Sequence, residues 1–342
     1  MQNSQDYVIP QGSLILVTGA NGYIASHAVN ILLQRGYKVR GTVRTAKPWL
    51  DRHFTNNYGG SLFESITLPT LDDPAACRRA MQGVSGVLHI ASDMSFSSDP
   101  NAVIPWVKRA TVNLLEAAAS QPSVKRFVLT SSSTAALLPT PGDAGIRVDE
   151  NTWNGISVKA AWDASTSPAT RAYHIYSAAK TEQEHESWRW VREQKPRFEF
   201  NAVVPNSNFG RILHPQISGS SMIRVRNILC GDGSVMKEFP PQWYVNVEDT
   251  ARLHVIALLC PSVKGERIFA FASEFNWTDV VDILRKLRPE NALIPDPPAN
   301  EGRDLSDIVL SRRARQLLHE FYGQPDWVSL EETIAAGIED MA

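Results

Sequence analysis

The segment 14–25 places the tightest constraint on what this chain can fold into. An apolar run at 14–17 leads into Thr18-Gly19-Ala20-Asn21-Gly22-Tyr23-Ile24-Ala25, and a helical repeat follows at once, with Ile24, Ala28, Ile31 and Leu32 at i, i+4, i+7 and i+8. Gly36 stands where a left-handed helix end favours glycine. Strand, glycine turn and helix in that order open a βαβ unit. The same turn suits a dinucleotide: glycine lets the backbone approach a pyrophosphate, and the helix N-terminus offers unpaired N–H groups and the positive end of its dipole. Ala25 takes the third small position, where helix and strand pack closely.

Further apolar runs with strand character recur at 38–43, 62–68, 86–91, 126–130 and 198–204, separated by helical stretches. That alternation predicts a parallel sheet covered on both faces. After Val204 the chain is broken by Pro205, Gly210, Pro215, Gly219, Gly231, Gly233, Pro240 and Pro241. Strand character returns at 243–247 and 267–272 around a helix at 248–259, and a Pro-rich stretch at 289–298 precedes helices at 306–322 and 329–341. The expected fold class is therefore α/β, a Rossmann-type doubly wound parallel sheet with a smaller, interleaved C-terminal substrate lobe. Residues 10–205 are expected to form the dinucleotide-binding domain, rejoined by strands within 243–272, with 206–242 and 273–342 forming the lobe.

A length of 342 residues accommodates such a unit, and 43% hydrophobic residues, 20% charged residues and a net charge of −2 give no electrostatic surface for nucleic acid or membrane. The expected partner is a small molecule, with monomer and homodimer both open. The first ten residues are polar, without a basic segment followed by an apolar one, and no apolar run approaches a membrane span, so a cytoplasmic location is expected. Cys77, Cys230 and Cys260 are odd in number and widely spaced in apolar surroundings, which predicts buried thiols. His89, His174, His185 and His254 lie in separate elements without ligand spacing, so no metal is expected. The nine tryptophans are assigned to the lobe core and pocket wall.

The second strand ends near Val43, where an acid would hold the ribose diol of NAD. The window 38–50 instead holds Lys38, Arg40, Arg44 and Lys47 and no acid. Arg44 is the best placed to meet a 2′-phosphate through charge-assisted hydrogen bonds, which favours NADP(H). The alternative is a solvated basic loop. Tyr176 and Lys180 stand one helical turn apart on a helix that starts near Ser167-Pro168 and ends before Pro196. A phenol of pKa about 10 becomes a usable proton donor when a nearby ammonium lowers that value. The fifth strand ends in Thr130-Ser131-Ser132-Ser133-Thr134, at the sheet edge where open parallel sheets bind ligands. A hydroxyl there can bond a substrate carbonyl, or the cluster can serve as a strand-end cap.

TGANGYIA, the basic end of the second strand, GVLHIAS at 86–92, RFVLTSSS at 126–133, YSAAK at 176–180, AVVPNSNFG at 202–210 and PPQWYVNVEDTARLH at 240–254 together resemble the extended short-chain dehydrogenase/reductase superfamily. Within it, the chain is similar to fungal and yeast NADPH-dependent aldehyde (carbonyl) reductases, methylglyoxal reductases and plant dihydroflavonol reductases, from about Pro10 to the final helix. The resemblance implies Ser132, Tyr176 and Lys180 as a catalytic triad and Asn113 as the helix residue that holds a proton-relay water. It implies cofactor contacts from Gly19, Asn21, Gly22, Tyr23, Ile24, Arg44, Lys47, Thr70, Leu71, Ala91, Pro205 and Asn206 as well as Tyr176 and Lys180. Phe239 and Gln242 match the pocket wall that, with Ser132 and Tyr176, meets substrate. Thr70 departs from the family pattern, which often has an Asp there for the adenine amino group; Asp72 and Asp73 follow two and three residues later.

The implied reaction is NADPH-dependent reduction of a ketone or aldehyde, with Tyr176 protonating the oxygen, Lys180 tuning Tyr176 and holding the ribose, and Ser132 orienting the carbonyl. A sugar-nucleotide epimerase and a non-catalytic dinucleotide sensor are the rival readings, although sensors commonly lose the Tyr or the Lys. Pocket shape is expected to come from irregular segments at 92–99, 153–162 and 206–242.

Overall fold

The computed structural model describes residues 7–341; the first six residues, part of the stretch read as leaderless, and Ala342, the last residue assigned to the lobe, lie outside the described residues. Strands β1 (Leu14–Val17), β2 (Lys38–Val43), β3 (Phe63–Thr67), β4 (Val84–His89) and β5 (Arg126–Thr130) precede a two-residue β6 (Arg147–Val148). β7 (Glu199–Pro205) and β8 (Ser207–Phe209) are followed by β9 (Gln242–Asn246), β10 (Arg267–Ala270), β11 (Ser273–Phe275) and β12 (Asp307–Ile308). Seven of these form one parallel sheet in the order β10-β7-β5-β4-β1-β2-β3. Every residue of β5 is buried, which is why these strands read as unbroken apolar runs rather than alternating ones.

The helices of the first half are α1 (Tyr23–Gln34), α2 (Pro48–Tyr58), α3 (Pro74–Ala80), α4 (Pro100–Ala119), α5 (Gly155–Trp162) and α6 (Pro168–Gln194). Those of the second are α7 (Ser221–Leu229), α8 (Val235–Glu238), α9 (Val247–Leu259), α10 (Trp277–Leu287), α11 (Ser311–Tyr322) and α12 (Leu330–Gly337). One face of the sheet is covered by α1, α9 and α11 through Val29, Leu32, Leu258 and Leu317. The other is covered by α3, α4 and α6 through Cys77, Leu114, Leu115 and Trp190. The chain runs outward from β1 to β3, then crosses back to β4 and runs the other way. The crevice at the carboxyl ends of β1 and β4 is therefore the topological switch point, where such sheets bind ligands.

Two main-sheet strands run on into the lobe. β7 continues as β8 and β10 as β11, and both pair with β9 in a three-stranded sheet of order β11-β9-β8. Of the strands expected to rejoin the main sheet, β10 does so against β7, whereas β9 pairs with β8 and β11. The lobe core gathers Phe209, Met222, Val225, Phe275, Trp277 and Ile334 around α7, α10 and α12. The single helix expected over 306–322 is divided: Asp307 and Ile308 pair with Arg147 and Val148 before α11 begins.

Cys77 and Cys260 are buried, but Cys230 is exposed. It closes α7, whose buried stripe is Met222, Val225, Ile228 and Leu229, so its position in the helix turns it away from the core. The tryptophans also divide, with Trp277 in the lobe core but Trp106, Trp188 and Trp190 packed on the α4/α6 side of the sheet.

Candidate active site

At the switch point Gly19 has φ +67°, and a Cβ there would sit 3.2 Å from the Ala91 side chain. The turn is fixed by Gly19 N–H to the Thr42 hydroxyl at 3.2 Å, Ala20 N–H to the Thr42 carbonyl at 3.0 Å and Gly22 N–H to the Gly19 carbonyl at 2.8 Å. Gly22 is the N-cap of α1 and supplies no side chain to cap it, so the first turn of the helix is open to an anion. Asn21 is half-buried in this turn and Ile24 packs against the lobe core. Tyr23 is committed elsewhere: its buried hydroxyl donates to the Gly210 carbonyl at 2.6 Å, tying α1 to the lobe and leaving its backbone for the turn.

The basic window resolves into bound and open cations. Arg40 donates to Glu64 at 2.7 Å and to the carbonyls of Ala80 and Gln82. Arg44 is exposed and Lys47 half-buried at the start of α2, and among the described residues neither has a hydrogen bond or ion pair. Beyond β3, Thr70 accepts the Asp72 N–H at 3.1 Å, Asp72 receives Arg109 at 3.2 Å, and Asp73 caps α3.

Asn113 lies with this loop: its amide donates to the Leu71 carbonyl at 3.0 Å. It stands two residues, about 200° around the helix, from Thr111, the α4 residue that faces inward to Gln183 at 2.8 Å and His89 at 3.3 Å, so the water-holding role the resemblance implies for Asn113 would act from the Leu71 side of α4.

The reacting end is built on α6. Tyr173, Tyr176, Lys180 and Glu184 recur every three or four residues, so one helix face presents all four to the strand ends. Lys180 is 3% exposed and its ammonium donates to the Thr130 carbonyl at 3.0 Å. Burial lowers its pKa to about 8, against which the Glu184 carboxylate pulls upward. The Tyr176 phenol is raised by burial, while its hydrogen bond with Ser132 and the charge of Arg224 act to lower it. Arg224, from α7, acts on the phenol in the lowering direction, while the Lys180 ammonium donates to the end of β5.

The three serines have different tasks. Ser131 donates to Glu184 at 2.6 Å, and Ser133 begins a short 3-10 turn. Ser132, 8% exposed, accepts from Thr134 N–H at 3.3 Å and from the Thr134 hydroxyl at 3.1 Å. With its acceptor sites filled from behind, its own proton is left for Tyr176 or for an oxygen beside it.

Glu184 is fully buried and paired with Arg267 at 2.7 Å; Arg267 also donates to the carbonyls of Glu150 and Thr152 and lies 3.7 Å over the Trp153 ring. Thr18 accepts the N–H groups of Ile90 and Ala91, each at 3.0 Å, and so donates to His89 Nδ1 at 2.9 Å. His254 bonds the Thr130 hydroxyl at 2.7 Å. Burial drives His89 down to about 3 and His254 to about 4, so both are neutral connectors that brace the strand ends. Among the described residues no group of three His, Cys, Asp or Glu side chains could hold a metal, and no helix is long and apolar enough to cross a membrane.

On the open side, Phe239 lies under the Arg224 guanidinium at 3.5 Å and meets Tyr173 edge-on at 6.1 Å, and its carbonyl is held by the Trp277 indole at 2.7 Å. Phe96 covers Tyr176 with ring centroids 5.1 Å apart. Gln242 departs from its expected place in the wall. It is 6% exposed, accepts from Ser207 at 3.0 Å and donates to the Pro240 carbonyl at 3.3 Å, so its amide joins β9 to β8. Pro205 ends β7 opposite Ala270, and Asn206 accepts the Ser207 N–H at 2.7 Å. Tyr173 and Glu184 were legible as i−3 of Tyr176 and i+4 of Lys180. Arg224, Arg267 and Phe96 carry no sequence signal, since each reaches the site from a separate segment.

Residues 15–269, from β1 into β10, match the NAD dependent epimerase/dehydratase family. Ketoreductase nvfG of Aspergillus novofumigatus is 44% identical over 338 residues, covering 98% of this chain and 98% of that protein. Aldehyde reductase 2 of Sporidiobolus salmonicolor is 39% identical over 338 residues, covering 98% and 97%. Yeast methylglyoxal/isovaleraldehyde reductase Gre2, crystallised with NADPH, shares the fold with a TM-score of 0.79 at 24% identity, over 96% of this chain and 98% of that one. With the sheet, the glycine turn and the full length of these relatives in agreement, the chain belongs to the NAD dependent epimerase/dehydratase family, the extended short-chain dehydrogenases/reductases.

Proposed function

We propose that this protein reduces a ketone or aldehyde to an alcohol with NADPH. The observation that carries the reading is Tyr176 beside Ser132, with buried Lys180 one turn away on the same helix face, next to the glycine turn. Relatives named as ketoreductases and an aldehyde reductase, and a neighbour in fold crystallised with NADPH, support it. The residues fit the cofactor: Gly19 leaves no room for a Cβ beside Ala91, α1 is uncapped, and Arg44 and Lys47 are open to a third phosphate.

NADPH, when bound, supplies the hydride. Ser132 donates to the substrate oxygen and fixes the carbonyl, since Thr134 occupies its acceptor sites. Tyr176, kept protonated by burial, gives its proton to that oxygen as negative charge develops there. Lys180 keeps a positive charge beneath the site and stands where a ribose hydroxyl can displace the Thr130 carbonyl. Phe96 and Phe239 form apolar walls that position the substrate. The substrate is a small molecule, and the location is cytoplasmic.

The test is loss of NADPH absorbance across aryl ketones, β-keto esters and aldehydes, with Tyr176→Phe as the decisive variant. Turnover is expected to vanish while NADPH binding, read by its fluorescence, remains. Near-normal turnover in Tyr176→Phe would overturn the assignment.

A further inference from the structure

Arg224 brings to this site a guanidinium whose hydrogen-bond donors the reduction itself does not use. It projects from α7 over the Phe239 ring at 3.5 Å, beside the phenols of Tyr173 and Tyr176. Among the described residues it has no hydrogen bond and no ion pair, and Glu238 acts on it only through space. Arg226, two residues on, shows what a structural arginine on this helix looks like: it donates to the Gly337 carbonyl at 2.8 Å and pairs with Asp340. A half-buried guanidinium with five donors, a stacked aromatic and no acceptor is poised for a ligand's oxygens.

We infer that Arg224 recognises an anionic oxygen on the substrate, and that the compounds reduced here are oxo acids carrying a carboxylate close to the reacting carbonyl. This rests on the reading of Tyr176 as the proton donor, because the distance that matters is from Arg224 to the carbonyl held there. Phe239 holds the guanidinium carbon 3.5 Å over its ring, and the N–H donors of that group are left for the carboxylate. Tyr176 stays protonated through burial, and the carboxylate bound at Arg224 sets where the carbonyl meets it.

The experiment compares kcat/KM for a series of oxo carboxylic acids with their methyl esters of the same carbon skeleton. It uses the wild-type protein, Arg224→Met, which keeps the packing on Phe239 without charge, and Arg224→Lys. The wild type is expected to prefer acid over ester by about tenfold or more. That ratio should fall to near unity in Arg224→Met and be partly kept in Arg224→Lys. Wild-type preference for the ester throughout the series, or an acid/ester ratio unchanged in a folded Arg224→Met, would overturn the inference while leaving ketone reduction intact. Absence of NADPH consumption with either set, and with simple ketones, would instead strike the reduction reading. If Arg224→Met fails to fold, the wild-type ratio and Arg224→Lys still decide.

Discussion

Glu184→Gln tests whether the buried ion pair behind the site sets the protonation of Lys180. Glu184 is fully buried and Arg267 is 5% exposed at its side chain, so neither charge is repaid by water. Without the carboxylate charge, Arg267 keeps the Glu150 and Thr152 carbonyls and the Trp153 ring but loses its counter-ion, a loss of about 3–5 kcal/mol. At about 2.1 cal/mol/K per residue the unfolding entropy of such a chain is near 0.7 kcal/mol/K, so Tm should fall by roughly 4–7 °C. The same change acts on chemistry. Burial lowers Lys180 to about 8 and Glu184 pulls it upward, so removing Glu184 moves the midpoint below 8.

A lysine depressed in the fold costs stability in full below about pH 8, and the cost is relieved as pH rises toward the unfolded value of about 10.4. For catalysis the direction is opposite: the ammonium is needed, so the alkaline limb of kcat/KM should shift to lower pH in Glu184→Gln and be restored in Glu184→Asp. Thermal melts and pH–rate profiles of the three proteins read both effects. A Tm loss without any movement of the alkaline limb would refute the link between Glu184 and the Lys180 proton, and no Tm loss would refute the buried pair as an ionic contact.

Arg44→Glu should move the cofactor preference from NADPH toward NADH, because it removes an open guanidinium and places a carboxylate within reach of a ribose diol; a wild-type kcat/KM for NADH equal to that for NADPH would contradict the reading of this loop. Gly19→Ala should weaken NADPH binding in a fluorescence titration by tenfold or more, since φ is +67° and its Cβ would press on Ala91, and it should also cost about 1 kcal/mol or more in a chemical melt. Phe239→Ala should change the enantiomeric ratio of alcohols from bulky ketones, where about 1.4 kcal/mol between poses is tenfold in product; an unchanged ratio by chiral chromatography would place the selecting wall elsewhere.

The parallel sheet, the glycine turn and the Tyr176–Lys180 helix face were legible from residue order, because each depends on short-range periodicity: two-sided burial along a strand, glycine at a positive φ, and a four-residue step around a helix. The basic window after β2 was likewise legible as a set of cations. Which of them were already spent was not, since Arg40 is neutralised by Glu64 from β3 while Arg44 and Lys47 remain open. Tertiary structure alone decided the contacts made between distant segments. Gln242 braces Ser207, the Asn113 amide bonds Leu71 and the Tyr23 hydroxyl anchors α1 on Gly210, none of which a local pattern announces. It also brought Arg224 of α7 over the Phe239 ring and within the electrostatic reach of Tyr176, and Arg267 of β10 onto Glu184, 83 residues away in sequence. The physical reason is the same throughout: a hydrogen-bonding side chain takes the partner that folding places within about 3 Å, and that choice is made by how the lobe closes on the sheet rather than by any local pattern.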